Sequence, residues 1–167
     1  MEQESKKSGA KSYLTFKLGE EQFGVHVGQV LNILEMTSIT RVPKSPDYMK
    51  GVINLRGKVL PVIDARLKFG MEETEYTNQT CIIVMDLEMD GKTIHIGTII
   101  DEVLSVVTIE NSQIEPPPSI GTKFNSEFIY GMAKVEEEFI MLIDMQHVLS
   151  SEEINNLANN SREESIV

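Results

Sequence analysis

The side chains able to do covalent or acid–base chemistry are few, and their spacing does not suit it. The 167-residue chain has three histidines, His26, His95 and His147, and one cysteine, Cys81. No histidine stands at metal-ligand spacing from another, and Cys81 has no obvious partner, so no zinc site is specified. A cysteine inside the apolar run Cys81-Ile82-Ile83-Val84-Met85 reads as a small core hydrophobe rather than a nucleophile. His26 and His95 lie in β-type segments and His147 in a helical one, where surface or internally satisfied imidazoles are expected. Among the carboxylates, Glu136-Glu137-Glu138 reads as a solvated hairpin tip. Asp64 and Asp144 occupy matching places in two similar segments; an acid–base pair needs contrasting environments, so capping suits them better. Gly24-Val25-His26-Val27-Gly28 lacks the pattern of a phosphate-cradling loop, and no GxSxG, HExxH or EF-hand signature is found. No catalytic residue, metal or cofactor is expected. Arg56, in Arg56-Gly57-Lys58, is the side chain to single out. From spacing alone it either tolerates a hairpin turn or offers a guanidinium for forked hydrogen bonds to a partner.

Bulk properties narrow the partners. The formal net charge is −11 and the sequence pI about 4.7. With no basic stripe bearing interleaved aromatics, nucleic acid is not expected as a partner, and anionic membrane surfaces are disfavoured by the same repulsion. Residues 1–11 lack the apolar region of a signal peptide, and no stretch approaches the roughly 20 apolar residues of a membrane span. A single cysteine allows no internal disulfide, which suits a reducing compartment. The expectation is a cytoplasmic protein with no direct membrane insertion. Trp is absent and aromatics make up 6%, so the core must be built largely from Ile, Val, Leu and Met.

The elements that would position these groups are short β-type runs separated by turn signals, among them Tyr13-Leu14-Thr15-Phe16, Gly51-Val52-Ile53-Asn54-Leu55, Val59-Leu60-Pro61-Val62-Ile63, 82–86 and 139–143. Such spacing suggests small β-barrels rather than a parallel α/β sheet. An internal repeat supports this. Residues 23–34 align without gaps on 96–107, and 51–66 on 131–146, so Gly24 matches Gly97 and Asp64 matches Asp144. The two offsets differ because 111–125 is a longer, proline-rich connection, and insertions belong in loops. Gly24 and Gly97 interrupt β-patterns, which predicts bulges or close backbone approach. Arg56-Gly57-Lys58 and Glu136-Glu137-Glu138 predict hairpins, and Asp64 and Asp144 predict N-caps of short helices. Ser150-Ser151-Glu152-Glu153 resembles a capping box, starting a C-terminal helix that Leu149, Ile154 and Leu157 would dock. A copy of about 65 residues is marginal alone, so the two copies should share an apolar interface, with a partner groove at their junction.

The run from Thr40-Arg41-Val42-Pro43 to Asp64-Ala65-Arg66, with Gly51-Val52-Ile53-Asn54-Leu55-Arg56-Gly57 as its most specific part, closely resembles the signature of CheW-type chemotaxis coupling (adaptor) domains. The resemblance continues in Phe23-Gly24-Val25, Lys68-Phe69-Gly70, Asp101-Glu102-Val103 and Ile114-Glu115-Pro116-Pro117-Pro118, and covers about 13–149. It implies a mostly β fold of two SH3-like five-stranded barrel subdomains sharing a core, with short helices after Asp64 and Asp144 and a C-terminal helix. The implied organisation is a disordered tail over 1–12, one domain over 13–150 and a C-terminal helix and tail over 151–167. The domain would divide near 79/80, with boundary strands free to be exchanged between its halves.

The family's role is scaffolding. The resemblance implies binding to the cytoplasmic tip of methyl-accepting chemoreceptors and to the regulatory domain of the histidine kinase CheA, with further adaptor copies in rings of membrane-associated receptor arrays. Without kinase or receiver segments, the stand-alone coupling protein is expected. By matching position, Val30, Ile33, Arg56, Gly97, Val103 and Val106 would bind receptor, while Ile114, Glu115 and Ile120 would face the kinase. Glu115 stands where a basic residue would suit an acidic kinase partner. The pathway's output, flagellar chemotaxis or instead surface motility or gene expression, is not written in the chain.

Overall fold

Apolar side chains alternate between two environments along most of the chain, and strands result. The protein is described by a computed structural model over residues 9–89, 91–117 and 128–149. In chain order the elements are β1 (Lys11–Leu18), β2 (Glu21–His26), the 3-10 turn η1 (Val27–Gln29), β3 (Val30–Glu35), β4 (Met49–Leu55), β5 (Lys58–Asp64) and helix α1 (Ala65–Lys68). They continue with β6 (Cys81–Met89), β7 (Lys92–Ile100), β8 (Glu102–Ile109), η2 (Asn111–Gln113), β9 (Ile114–Glu115), β10 (Ile129–Val135), β11 (Glu138–Ile143) and helix α2 (Met145–Val148). Residues 150–157, with the capping box, Ile154 and Leu157, lie outside the described residues, as do 1–8 and Ile120.

The strands form two sheets. Sheet I has the order β8-β1-β2-β11-β10-β9 and sheet II the order β3-β6-β7-β5-β4. Sheet II is five-stranded, as expected. Sheet I has six strands, because the two-residue β9 adds to its edge through Met132 and Ala133. Each sheet draws on both halves of the chain: β1 and β2 join the late strands, while β6 and β7 join the early ones. The chain passes from sheet I to sheet II through η1, and back at Asp101 between β7 and β8. The first strand starts at Lys11, ahead of Tyr13.

The pleat sorts the core into three clusters. Within sheet II, Ile53, Leu60, Val62, Ile82, Val84 and Ile99 form one subdomain interior; Tyr13, Ile109, Ala133, Ile140 and Leu142 form the other in sheet I. The opposite faces of the same strands meet in a larger shared core. Ile82 and Val84 face the interior of sheet II while Ile83, Met85 and Leu87 face the shared core, and Leu142 and Ile143 divide likewise in sheet I. A file of phenylalanines runs through the shared core. Phe16 and Phe23 stack at 5.9 Å, Phe23 and Phe69 lie 5.6 Å apart, and Phe69 and Phe128 stack at 4.3 Å. Each such pair adds about 1 kcal/mol to simple burial.

The registers repeat the duplication residue for residue. The parallel pairing of β5 with β7 sets Val62 against Gly97, and that of β11 with β2 sets Leu142 against Gly24. Both hairpins break register before the equivalent Gly51 and Gly131. Bulges therefore fall at this second glycine pair, and at the equivalent Leu31 and Leu104 of β3 and β8, whereas Gly24 and Gly97 are sites of close approach. A Cβ on Gly97 would lie 2.8 Å from Ile82 Cγ2, and one on Gly24 3.2 Å from Leu142 Cδ2.

Candidate functional site

The two predicted caps hold local structure together. The buried Asp64 carboxylate accepts from Arg66 N at 2.9 Å and from Leu67 N at 3.4 Å at the start of α1. Its other oxygen accepts from the Tyr76 hydroxyl at 3.0 Å. Burial first, then the Asp64 charge, pushes the Tyr76 hydroxyl well above the ordinary tyrosine range. Asp144 caps α2 by accepting from Gln146 N at 2.9 Å, and the same oxygen accepts from Gln29 Nε2 at 2.9 Å. Both carboxylates are engaged by their own surroundings and are not an acid–base pair. Burial raises the Cys81 thiol, which opposes nucleophilic use, and among the described residues no group of three or more His, Cys, Asp or Glu could hold a metal.

The exposed apolar surface follows the duplication. Sheet I ends at β8 and sheet II at β3, and these edge strands are equivalent in the repeat. β3 exposes Leu31 (49%) and Ile33 (43%); β8 exposes their counterparts Leu104 (37%) and Val106 (59%). Val30 and Val103 are half-buried and pack on the shared core, so the two edges flank it from either side. Cys81 of β6 pairs with Glu35 of β3. A solvent-facing apolar row on an unpaired edge is a natural docking surface.

Arg56 sits on the β4–β5 turn, where Arg56 (φ 54°) and Gly57 (φ 84°) take the two left-handed conformations of a tight hairpin. Asn54 Oδ1 accepts from Gly57 N at 2.9 Å and fixes the turn. The exposed guanidinium makes no hydrogen bond or ion pair with any described residue. Leu34 of β3 and Leu55, next to Arg56, both pack on the sheet II interior. In sheet I the equivalent β10–β11 turn comes up to the β8 edge. There a groove of about 150 Å³ is lined by Leu104, Ser105 and Val107 on one side and Val135, Glu136 and Glu138 on the other.

The structure thus places Val30 and Ile33 on one edge, Val103 and Val106 on the matching one, and Arg56 on the β4–β5 turn. Gly97 requires correction as a docking residue: it is buried in β7, against Ile82, Leu60 and Val62, and offers no surface. Leu31 and Leu104 were missed by sequence reasoning; their place in the repeat beside Ile33 and Val106 was the available signal. On the other edge of sheet I, Glu115 is exposed while Ile114 packs against Gly131 and the sheet I interior. A cleft of about 440 Å³ adjoins Ile114, with Tyr13, His26, Tyr130 and His147 among its walls.

Two SH3-like β subdomains on one core, presenting matched apolar edges, have the architecture of a scaffold that works by holding other proteins. A sequence model of the CheW-like domain matches residues 12–153. The chain is 36% identical over 146 residues to the chemotaxis protein CheW of Bacillus subtilis, covering 87% of this chain and 90% of that one. To its counterpart in Klebsiella aerogenes it is 33% identical over 144 residues, covering 86% and 84%. The crystal structure of the scaffolding protein TtCheW from Thermoanaerobacter tengcongensis superposes with a TM-score of 0.75 at 32% identity, covering 86% of this chain and 96% of that one. The chain belongs to the CheW-like family. It is a chemotaxis adaptor and not an enzyme.

Proposed function

We propose that the protein couples methyl-accepting chemoreceptors to the histidine kinase CheA, working in the cytoplasm at membrane-associated receptor arrays. The receptor's helical tip lies across the shared core between β3 and β8, against Leu31, Ile33, Leu104 and Val106, with Val30 and Val103 at the floor. Arg56 supplies forked hydrogen bonds from the rim. The observation that carries this reading is the matched pair of exposed apolar edges on one core. Amphipathic helices dock on grooves of this kind. The kinase's regulatory domain meets the opposite edge of sheet I, near Glu115 and Ile114 and the segment containing Ile120, and further adaptor copies complete rings by the same contacts. Recruitment to the array runs through these partners.

A binding assay with a soluble receptor-tip fragment tests the receptor half. Ile33→Asp and Val106→Asp should each weaken binding at least about tenfold, as for central apolar contacts, and Arg56→Glu by a similar factor. Circular dichroism should be unchanged, since all three side chains face solvent. Binding of all three variants at the unaltered affinity would refute the placement. Co-purification of kinase and receptor fragment through the protein tests the coupling itself.

A further inference from the structure

The crossover that leads into β8 carries a side-chain lock. The Asp101 carboxylate accepts from Gly19 N in the β1–β2 turn at 2.7 Å, from Arg66 Nε at 2.9 Å and from Arg66 Nη2 at 2.6 Å. Gly19 belongs to sheet I and Arg66 to α1, which follows β5 of sheet II, so one carboxylate ties the two sheets where the chain passes between them. Arg66 Nη1 also donates to the Glu72 carbonyl at 3.2 Å, and Asp101 N to the Lys17 carbonyl at 3.1 Å. The second half is built differently. Gln146, the counterpart of Arg66, exchanges neutral hydrogen bonds with the Glu88 backbone, and Gly28, the counterpart of Asp101, has no side chain. Among the described residues, the crossover two residues before Val103 is held by a guanidinium–carboxylate pair, whereas at η1 the Asp144 carboxylate meets the neutral Gln29.

We propose that Arg66 and Asp101 are positioning residues that fix the spacing between the β3 and β8 edges and thereby hold the receptor face ready for its partner. The inference rests on the receptor reading above. Neither side chain lies on the docking edges; their effect passes through the setting of β8 against sheet II. A forked guanidinium–carboxylate pair suits this role because it fixes both distance and angle, which a single hydrogen bond does not. Pre-set geometry spares the partner the cost of ordering it.

The test compares Arg66→Ala, Asp101→Ala, their double variant and Arg66→Lys with the full-length protein. Ile53→Val, a core change within sheet II, serves as a destabilising control. Spin labels at exposed Glu35 and Thr108, in a Cys81→Ala background, report the separation of the two edges. Each alanine variant should broaden the distance distribution and weaken receptor-fragment binding about tenfold, and the double variant should be no worse than either single one. Arg66→Lys should recover part of both effects, and Ile53→Val should change neither. An unchanged distance distribution in the alanine variants, or an equal loss of binding in Ile53→Val, overturns the proposal. Failure of the unaltered protein to bind the fragment overturns the receptor reading itself, while the distances still decide whether the pair sets the spacing.

Discussion

At the scale of single residues, Asp101 shows how opposing effects are resolved. Partial burial would raise its carboxyl, but the hydrogen bonds from Arg66 and Gly19 and the Arg66 charge outweigh that and hold it below the ordinary range. Because the folded value lies below the unfolded one of about 4, its stabilisation is complete above that value and lost as pH falls through the folded value. Asp101→Asn should therefore cost about 1–2 kcal/mol at pH 7 and progressively less in acid, as read by urea unfolding. A gap of the same size at pH 7 and pH 2 would contradict the assignment. Arg56 is the contrasting case, an arginine with no described partner on a turn whose shape does not depend on its side chain. Its type and position were legible in the chain. The exposure of Leu31 and Leu104 was not: Val30-Leu31-Asn32-Ile33-Leu34 reads as a buried strand, and its place at a sheet edge, with Leu31 and Leu104 at the register shifts of β3 and β8, turns these side chains to solvent.

At the scale of elements, the local devices were written plainly. Asp64 and Asp144 cap helices, Arg56-Gly57 and Glu136-Glu137 turn hairpins, and the glycine pairs recur in register. The second turn is the less comfortable, since Glu136 (φ 49°) and Glu137 (φ 69°) both take a left-handed conformation that L side chains resist. Replacing them with Asn-Gly should raise stability by about 1 kcal/mol without moving either strand. A lower melting temperature would contradict the turn described. Gly51 allows no such freedom. Its φ is 146° and a Cβ there would lie 2.0 Å from the Thr40 carbonyl oxygen, so Gly51→Ala should cost several kcal/mol or prevent folding. The sequence pattern marked both turns but left open whether Gly24 and Gly97 were bulges or sites of close approach, and the second is found. A glycine in a β-run looks the same whether it kinks the strand or admits a neighbour, and cross-strand packing decides.

At the scale of the molecule, strand exchange and the shared core make the two subdomains one cooperative unit. Unfolding should show a single transition by far-UV circular dichroism and by phenylalanine-sensitive probes alike. Separately expressed halves divided at 79/80 should be unfolded alone and recover the native spectrum when mixed, because each sheet takes strands from both. Independent folding of either half would refute the shared core. The same exchange sets an order of events on the ribosome. The β1–β2 hairpin emerges first, yet its partner β11 follows only after 111 further residues (27–137). Translation at about 5–20 residues per second makes that wait roughly 5 to 20 s. Sheet II draws on nothing beyond β7 and can close earlier. Until β8 arrives to pair with β1, Phe16 and Phe23 have only a two-stranded ribbon to shelter them, too little to be stable in water. The nascent β1–β2 hairpin is thus a natural client for a chaperone at the exit tunnel, from the moment it appears until its neighbours in the sheet are made.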